Sequence, residues 1–344
     1  MRKRLFSILQ YVIFLGAGVF LIWWQLKSLT PEQKKAFLDA FHEANYWLIL
    51  PVVMLTLLSY LSRAIRWTLL MEPLGYKPAL KNVFAVTIVG YFANAAFPRL
   101  GEVLKCTFLA RYEHMKVDKL VGTIIVERTF DIICYIIFIA ITVLIQIDVV
   151  GDYTKRTLEE IAVSPGFPLW AKIAIVVGLM GGMFLLIRFL FKKYPGNQIV
   201  RAINSFLLGI LEGFKSIRNL KHRKAFIFHT ILIWGLYLME IYIAFYAMNG
   251  TSHLTIKAAC SVLTLATLAM IATPNGIGSF PFLIQKTLLI YGISSALGIA
   301  FGWLMWGIST GIVIVAGLIT LLLLPYMNKN KRNEVSAINP NENI

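Results

Sequence analysis

The sequence predicts an all-α integral membrane protein, with about six transmembrane helices and two re-entrant broken-helix hairpins arranged as inverted repeats. Of its 344 residues, 58% are hydrophobic and only 15% are charged, whereas soluble domains are nearer half apolar and a quarter charged. Long apolar runs recur, and each can cross a hydrocarbon core about 30 Å thick. Two further apolar stretches are interrupted near the middle by proline and glycine, which is the third observation.

Six apolar segments are predicted to cross the bilayer as helices. Their ranges are 5–26, 46–70, 120–147, 169–191, 225–248 and 294–325. We interpret the first as a span, not a signal peptide, because its apolar run is too long and no small-residue cleavage site follows. Residues 1–327 are therefore one polytopic membrane domain, and the polar residues 328–344 are predicted to be a disordered cytoplasmic tail.

The net charge of +16 is explained by membrane orientation and does not indicate nucleic-acid binding. With both termini placed in the cytoplasm, most of the 33 Lys and Arg residues fall on the inner side, as the positive-inside bias requires. The basic segment 188–224 would move outside if both interrupted stretches crossed the bilayer fully. Within it, residues 197–218 are predicted to form an amphipathic helix, either lying on the inner leaflet or packed on the bundle.

The interrupted stretches are residues 82–111 and 256–291, and each is predicted to return to the side from which it entered. Proline ends a helix and glycine permits a chain reversal, so both breaks are expected to place polar backbone within the membrane. The candidate pathway residues at the two breaks are Asn94, Pro98, Arg99, Gly101 and Glu102, and Pro274, Asn275, Gly276 and Gly278. The alternative is a simple loop at the membrane interface at each position.

The two halves of the chain repeat one order of elements. Residues 46–147 contain a span, a broken hairpin and a span, and residues 225–325 contain the same series beginning from the opposite side. Inverted repeats with broken helices in corresponding positions are typical of transporters whose site lies near the bilayer midplane. This symmetry favours transport over a structural role.

Several charged residues lie within apolar segments, where ionisable groups are costly and are candidates for function. Arg99 is expected to bind an anionic group such as a phosphate; the alternative is an Arg99–Glu102 pair that only fixes the hairpin. Glu127, Arg128 and Asp131 lie within one or two turns of each other on the third span and would need a further cation.

The further cation is predicted to come from the second span, whose inner end carries Arg63 and Arg66. Both arginines could instead extend to the cytoplasmic headgroups. On the fifth span Glu240 is predicted to pair with Lys286 at similar depth, either as a structural contact or for ion coupling.

Enzyme motifs are scarce, so the sequence predicts no enzyme activity. The five histidines have no metal-ligand spacing, and no P-loop, G-x-S-x-G or H-E-x-x-H motif occurs. We therefore expect no metal and no cofactor, and we assign no catalytic residue.

Five stretches together resemble one family, the lysylphosphatidylglycerol synthase transmembrane-region family. They are RAIRW, NAAFPRLGEVLKCTFLAR, VERTFD, HTILIW and TPNGIGSF, in this order. The likeness covers roughly residues 5–325, and Arg99, Gly101, Glu102, Glu127, Arg128 and Asp131 match the polar motifs of the family. The resemblance is to a stand-alone member, without the separate soluble domain that transfers the aminoacyl group.

The resemblance implies a lipid flippase in the cytoplasmic membrane of a prokaryote. Its expected partners are membrane lipids, namely an anionic or aminoacylated phospholipid or a polyprenyl phosphate. The alternatives are a membrane enzyme or an accessory subunit that acts on polyprenyl-phosphate or glycolipid intermediates. An enzyme would need a titratable base whose loss abolishes turnover, whereas an accessory subunit would tolerate substitution of its buried charges.

Overall fold

The structure is a computed structural model that describes residues 16, 18–25, 27–146 and 220–329. This part is all-helical, as predicted, and contains no strand. Residues 18–25 are helical, and nine helices with assigned bounds follow: α1 (Pro31–His42), α2 (Ile49–Met71), α3 (Leu80–Ala96), α4 (Leu100–Glu113), α5 (Val117–Ile145), α6 (Arg223–Ala244), α7 (Ile256–Ala272), α8 (Ser279–Ile290) and α9 (Ser295–Met327). The predicted span 169–191 and amphipathic helix 197–218 lie outside the described residues, as does nearly all of the predicted tail.

Four of the described segments are long and apolar enough to cross a membrane. They are Tyr46–Leu74, Val117–Ile145, Arg223–Ala247 and Ser295–Met327. These segments match the predicted spans 46–70, 120–147, 225–248 and 294–325 to within a few residues. The chain is therefore a multi-pass membrane protein.

The chain divides into two compact units, one made of residues 1–127 and 219–344 and the other of residues 128–218. Helix α5 contributes its residues up to Glu127 to the first unit. In the second unit the structure describes residues 128–146, which continue α5. The features described next all belong to the first unit.

Helices α2 and α6 pack against each other along a seam of polar side chains. Thr56 contacts Glu240, Arg63 contacts Tyr237, and Arg66 contacts Thr230. Because the numbers rise along α2 as they fall along α6, the two helices are antiparallel. Polar contacts between helices stabilise membrane bundles, where apolar burial gives little driving force.

The first broken stretch forms an antiparallel hairpin of α3 and α4. Phe97 is extended and Arg99 has φ +69°, so the helix cannot continue through Pro98. The legs then cross closely at Gly101, where an added Cβ would overlap the carbonyl oxygen of Gly90. The break and the close crossing together explain why proline and glycine stand three residues apart.

The second broken stretch forms a hairpin of α7 and α8 around the turn Pro274–Gly276. The Ser279 hydroxyl donates to the Ala269 carbonyl and lies 2.6 Å from the Thr273 hydroxyl, which joins the two legs at the break. Asn275 has φ +52°, and the glycines on either side of Ile277 also have positive φ. The reversal thus depends on residues that tolerate the left-handed region.

Helix α9 supports both hairpins along its length. Near its C-terminal end Asn328 exchanges hydrogen bonds with Asn82 at the start of α3, and Gly317 meets Phe92 further along. Its N-terminal half packs against α8, where Gly302 meets Pro281. The two hairpins therefore lie along opposite halves of α9.

The two breaks reach the same level near the middle of α9. Asn275 donates to Thr310 at 3.2 Å, and Phe92, which meets Gly317, lies less than two turns before the break at Pro98. At about 1.5 Å per residue, Thr310 and Gly317 are separated by about 10 Å along the helix. The hairpins thus approach one level of the bundle from its two ends.

Candidate functional site

The main candidate site is a buried charge cluster around Glu127. One carboxylate oxygen lies 3.5 Å from Arg63 Nη1 and 3.4 Å from Arg66 Nη2, and the other lies 3.1 Å from Lys105 Nζ. The Glu127 and Arg66 residues are 0% exposed, and Arg63 and Lys105 are also buried. Helix α2 therefore brings two cations and α4 a third to one carboxylate of α5 inside the bundle.

Helical spacing explains how α2 supplies two of these cations. Arg63 and Arg66 are three residues apart and share one face. The alternative in which both side chains extend to the cytoplasmic headgroups does not hold, because both are buried and both contact Glu127. A buried carboxylate tolerates its position only when it is paired, and here it is paired more than once.

Aromatic rings complete the surroundings of the cluster. Lys105 Nζ lies 3.9 Å from the centre of the Trp67 ring, and the Trp67 indole donates to Thr123 at 2.8 Å. The guanidinium of Arg63 lies 5.8 Å from the ring centre of Tyr237. A cation over an aromatic face gains electrostatic stabilisation, so each of these rings adds a favourable contact for its cation.

Lys105 was not among the residues predicted from the sequence. It lies four residues after Gly101 on α4, so it continues the face that crosses α3, and its Cβ is 3.5 Å from a Cβ placed on Gly90. That spacing was readable in the motif NAAFPRLGEVLK. The proline, arginine and glutamate at the break predict a site at the tip of the hairpin, whereas Lys105 lies about one turn further along α4.

At the tip of the first hairpin, Asn94 holds the two legs together. Its side-chain oxygen accepts from the Gly101 backbone N–H at 2.8 Å, and its Nδ2 donates to Glu102 Oε1 at 3.2 Å. The other Glu102 oxygen is buried without a hydrogen-bond partner among the described residues. That oxygen is therefore available to a donor on a ligand.

Arg99 and Pro98 lie at the exposed surface of the same tip. Within the part of the chain that the structure describes, no ion pair joins Arg99 to Glu102, so the alternative of a pair that fixes the hairpin is wrong. The reason is that Arg99 adopts a left-handed backbone conformation as the N-cap of α4, while Glu102 turns toward Asn94. Arg99 remains in position to meet a group outside the hairpin.

We expect Asn94→Ala to lower the free energy of unfolding by about 1–3 kcal/mol, because it removes one hydrogen bond to backbone and one to a carboxylate. Unfolding followed by tryptophan fluorescence in detergent measures the change. Thr107→Ala, at an exposed position on the other leg of the hairpin, α4, is the matched control. Equal stability of the two variants would contradict a closing role for Asn94.

At the second break the turn is closed by contacts within the protein. The Trp306 indole donates to the Asn275 carbonyl at 2.8 Å, and Gln25 donates to the Gly278 carbonyl at 2.9 Å. Pro274, Gly276 and Gly278 are buried. The structure therefore places the freed backbone groups of this break against protein, as an interrupted membrane helix requires.

The predicted Glu240–Lys286 pair is wrong. Glu240 is buried and is hydrogen-bonded to Thr56 at 2.8 Å, whereas Lys286 is exposed and lies over the Phe282 ring. The pair was predicted from similar depth along the membrane. However, α8 is rotated about its axis so that Lys286 points outward, and similar depth does not predict this rotation.

Arg128 and Asp131 belong to the second unit and form an ion pair at 3.8 Å on one face of α5. Among the described residues, no group of three His, Cys, Asp or Glu side chains comes together in a way that could hold a metal ion.

Comparison with known proteins assigns the family. The family model described as lysylphosphatidylglycerol synthase TM region matches residues 7–328. The UPF0104 membrane protein MJ1595 of Methanocaldococcus jannaschii is 22% identical over 81% of this chain and 84% of its own length. The UPF0104 membrane protein PH1989 of Pyrococcus horikoshii is 22% identical over 98% of this chain and 100% of its own. No solved structure matches. The chain belongs to the lysylphosphatidylglycerol synthase transmembrane-region family.

Proposed function

We propose that the protein moves a lipid with an anionic headgroup between the leaflets of the cytoplasmic membrane. The observation that carries this proposal is the buried cluster of Arg63, Arg66 and Lys105 around Glu127. Arginine offers a planar fork of donors that matches a phosphate, and lysine adds a compact charge. In the resting protein Glu127 occupies these donors, and the headgroup phosphate takes its place during transport.

Because the Glu127 carboxylate and the headgroup phosphate compete for the same cations, the return of Glu127 releases the headgroup. Glu127 is part of helix α5 and stays beside the cations, so its carboxylate pairs with them again as soon as the headgroup leaves. The cations are thus paired with Glu127 before and after transport and with the headgroup during it, so that none of the three is left as an isolated buried cation. The acyl chains remain in lipid, since the site holds groups that recognise only the headgroup.

The arrangement of the helices supports a pathway through the middle of the membrane. The corresponding first spans α2 and α6 are antiparallel, and the two hairpins approach one level of α9 from opposite ends. In our proposal each hairpin re-enters the bilayer and the two halves are inverted repeats. Broken helices that meet near the midplane are typical of transporters with alternating access.

The test is leaflet exchange in liposomes that contain the purified full-length protein. Tail-labelled phosphatidylglycerol, phosphatidylcholine and polyprenyl phosphate serve as probes, and a membrane-impermeant quencher reports the fraction in the outer leaflet. We expect the protein to accelerate exchange of an anionic probe. Lys105→Met should slow it by about tenfold or more, because one charge-assisted hydrogen bond to the headgroup is lost.

Arg111→Met is the matched control, since Arg111 lies on the same helix at an exposed position. It should exchange the anionic probe at the wild-type rate. No exchange of any of the three probes by folded wild-type protein would overturn the proposal and favour an enzyme or accessory subunit that acts on polyprenyl-phosphate intermediates. Equal rates of anionic-probe exchange for Lys105→Met and Arg111→Met would show that the cluster does not bind the headgroup during transport.

A further inference from the structure

A second buried acid, Glu240, lies apart from the charge cluster, and within the described part of the chain no cation is paired with it. It is 8% exposed, and its one hydrogen bond among the described residues is with Thr56 on α2. Among the residues that the structure describes, no Lys, Arg or His nitrogen lies within 4.0 Å of its carboxylate. An ionised carboxylate in this setting is costly, so the neutral acid is favoured.

The hydrogen bonds of Thr56 indicate the same protonation state. Its hydroxyl oxygen lies 2.9 Å from the Val52 carbonyl oxygen and 2.8 Å from Glu240 Oε1. A hydroxyl has one hydrogen and a carbonyl only accepts, so an ionised Glu240 would leave one of these contacts between two acceptors. When Glu240 carries a proton, it donates to Thr56 and Thr56 donates to Val52, which satisfies both contacts.

The ionisable groups around Glu240 connect it to the charge cluster. Tyr237 precedes it by one turn on α6 and accepts a hydrogen bond from Arg63 at 2.9 Å, and Arg63 also contacts Glu127. The ionisable groups on the helices packed against α6 are Tyr60, Arg63 and Arg66 on α2, and Lys257 and Cys260 on α7.

We propose that Glu240 is a proton-binding site that couples lipid movement to a proton gradient; this inference rests on the function proposed above. Loss of the proton creates a negative charge on α6 that attracts Arg63 and weakens its contact with Glu127. Gain of the proton releases Arg63 to the cluster. The protonation state of Glu240 therefore sets how strongly the cluster holds an anionic headgroup, and each transport cycle moves a proton.

The Thr56–Glu240 contact lies toward the Tyr46 end of the bundle. A small apolar cavity there is lined by residues that include Val52 on α2 and Ala244 on α6, each one turn from the Thr56–Glu240 contact. In the proposed orientation this end faces outward. The proton site and the charge cluster then lie in opposite halves of the membrane, as coupling across it requires.

Infrared difference spectroscopy tests the proton site without any transport measurement. A neutral carboxyl group has a C=O stretch at higher frequency than the bands of ionised carboxylates. We expect the wild-type protein at neutral pH to show such a band that Glu240→Gln lacks, and Thr56→Val to shift it, since the hydrogen bond to the hydroxyl is removed. Absence of the band from the wild-type minus Glu240→Gln spectrum would overturn the proposal. Glu32→Gln, at an exposed position, is the control and should leave the band unchanged.

The coupling is tested in the same liposomes with an imposed pH gradient and labelled phosphatidylglycerol. A gradient of about one pH unit should change the wild-type exchange rate by up to about tenfold, and the rate of Glu240→Gln by less than about twofold. Equal responses of the two proteins would overturn the coupling. If wild-type protein shows the carboxyl band but exchanges none of the lipid probes, the proton site stands and the lipid-transport proposal fails.

Discussion

Glu127→Ala is expected to lower the free energy of unfolding by about 3–5 kcal/mol, because it removes the carboxylate that three buried cations contact. The loss arises chiefly from the charges left behind, which keep their burial but lose a shared partner. Thermal unfolding followed by the fluorescence of the eight tryptophans should show a drop on the order of 5–10 °C. A midpoint within about 1 °C of wild type would contradict this account of the cluster.

A charge-compensating variant separates electrostatics from lost packing. The double variant Glu127→Ala/Arg66→Met removes the carboxylate together with Arg66, the most deeply buried of the three cations. We expect the double variant to regain part of the stability that the single variant loses, because groups in contact are not additive. If the two changes add, the cations do not depend on Glu127.

The fold class and the four described spans were readable from the sequence because their signals are local. A long apolar run fixes a membrane helix by itself, and proline followed by glycine fixes a break by itself. Both the apolar run and the proline–glycine break are recognised from a single segment, so they can be read without knowing which helices pack against it. The positions of the hairpins, with breaks at Pro98 and Pro274, followed in the same way.

The partners of the charged residues were harder to predict, because they depend on how each helix is rotated. Depth alone placed Glu240 beside Lys286, but the exposed face of α8 carries Lys286 away from the bundle. The contact between Lys105 and Glu127 was not predicted, because it depends on the rotation of both α4 and α5, which the hydropathy pattern does not determine. Arg63 and Arg66 were easier, since their spacing of three puts both on one face.

Gly101→Ala is expected to open the first hairpin and to cost about 1–3 kcal/mol of stability. The added methyl group would overlap the Gly90 carbonyl oxygen and lie 2.6 Å from Asn94 Cγ, and the backbone on the α3 side cannot move without separating the two legs. Unfolding temperature measures the cost. Because Lys105 follows Gly101 by one turn, the same separation should draw Lys105 Nζ away from Glu127 and slow exchange of the anionic probe.

Gly122→Ala is the control that makes this prediction specific to the crossing of α3 and α4. Gly122 lies within α5, and a Cβ there meets nothing within 4 Å. Alanine should therefore raise stability by up to about 1 kcal/mol through its higher helix propensity. A Gly101→Ala variant that is equally stabilised would show that the legs are not held at this contact. If Gly101→Ala instead lowers the free energy of unfolding while Gly122→Ala raises it, the two legs of the hairpin are held together at Gly101. This residue lies on α4, the helix that carries Lys105 to the site.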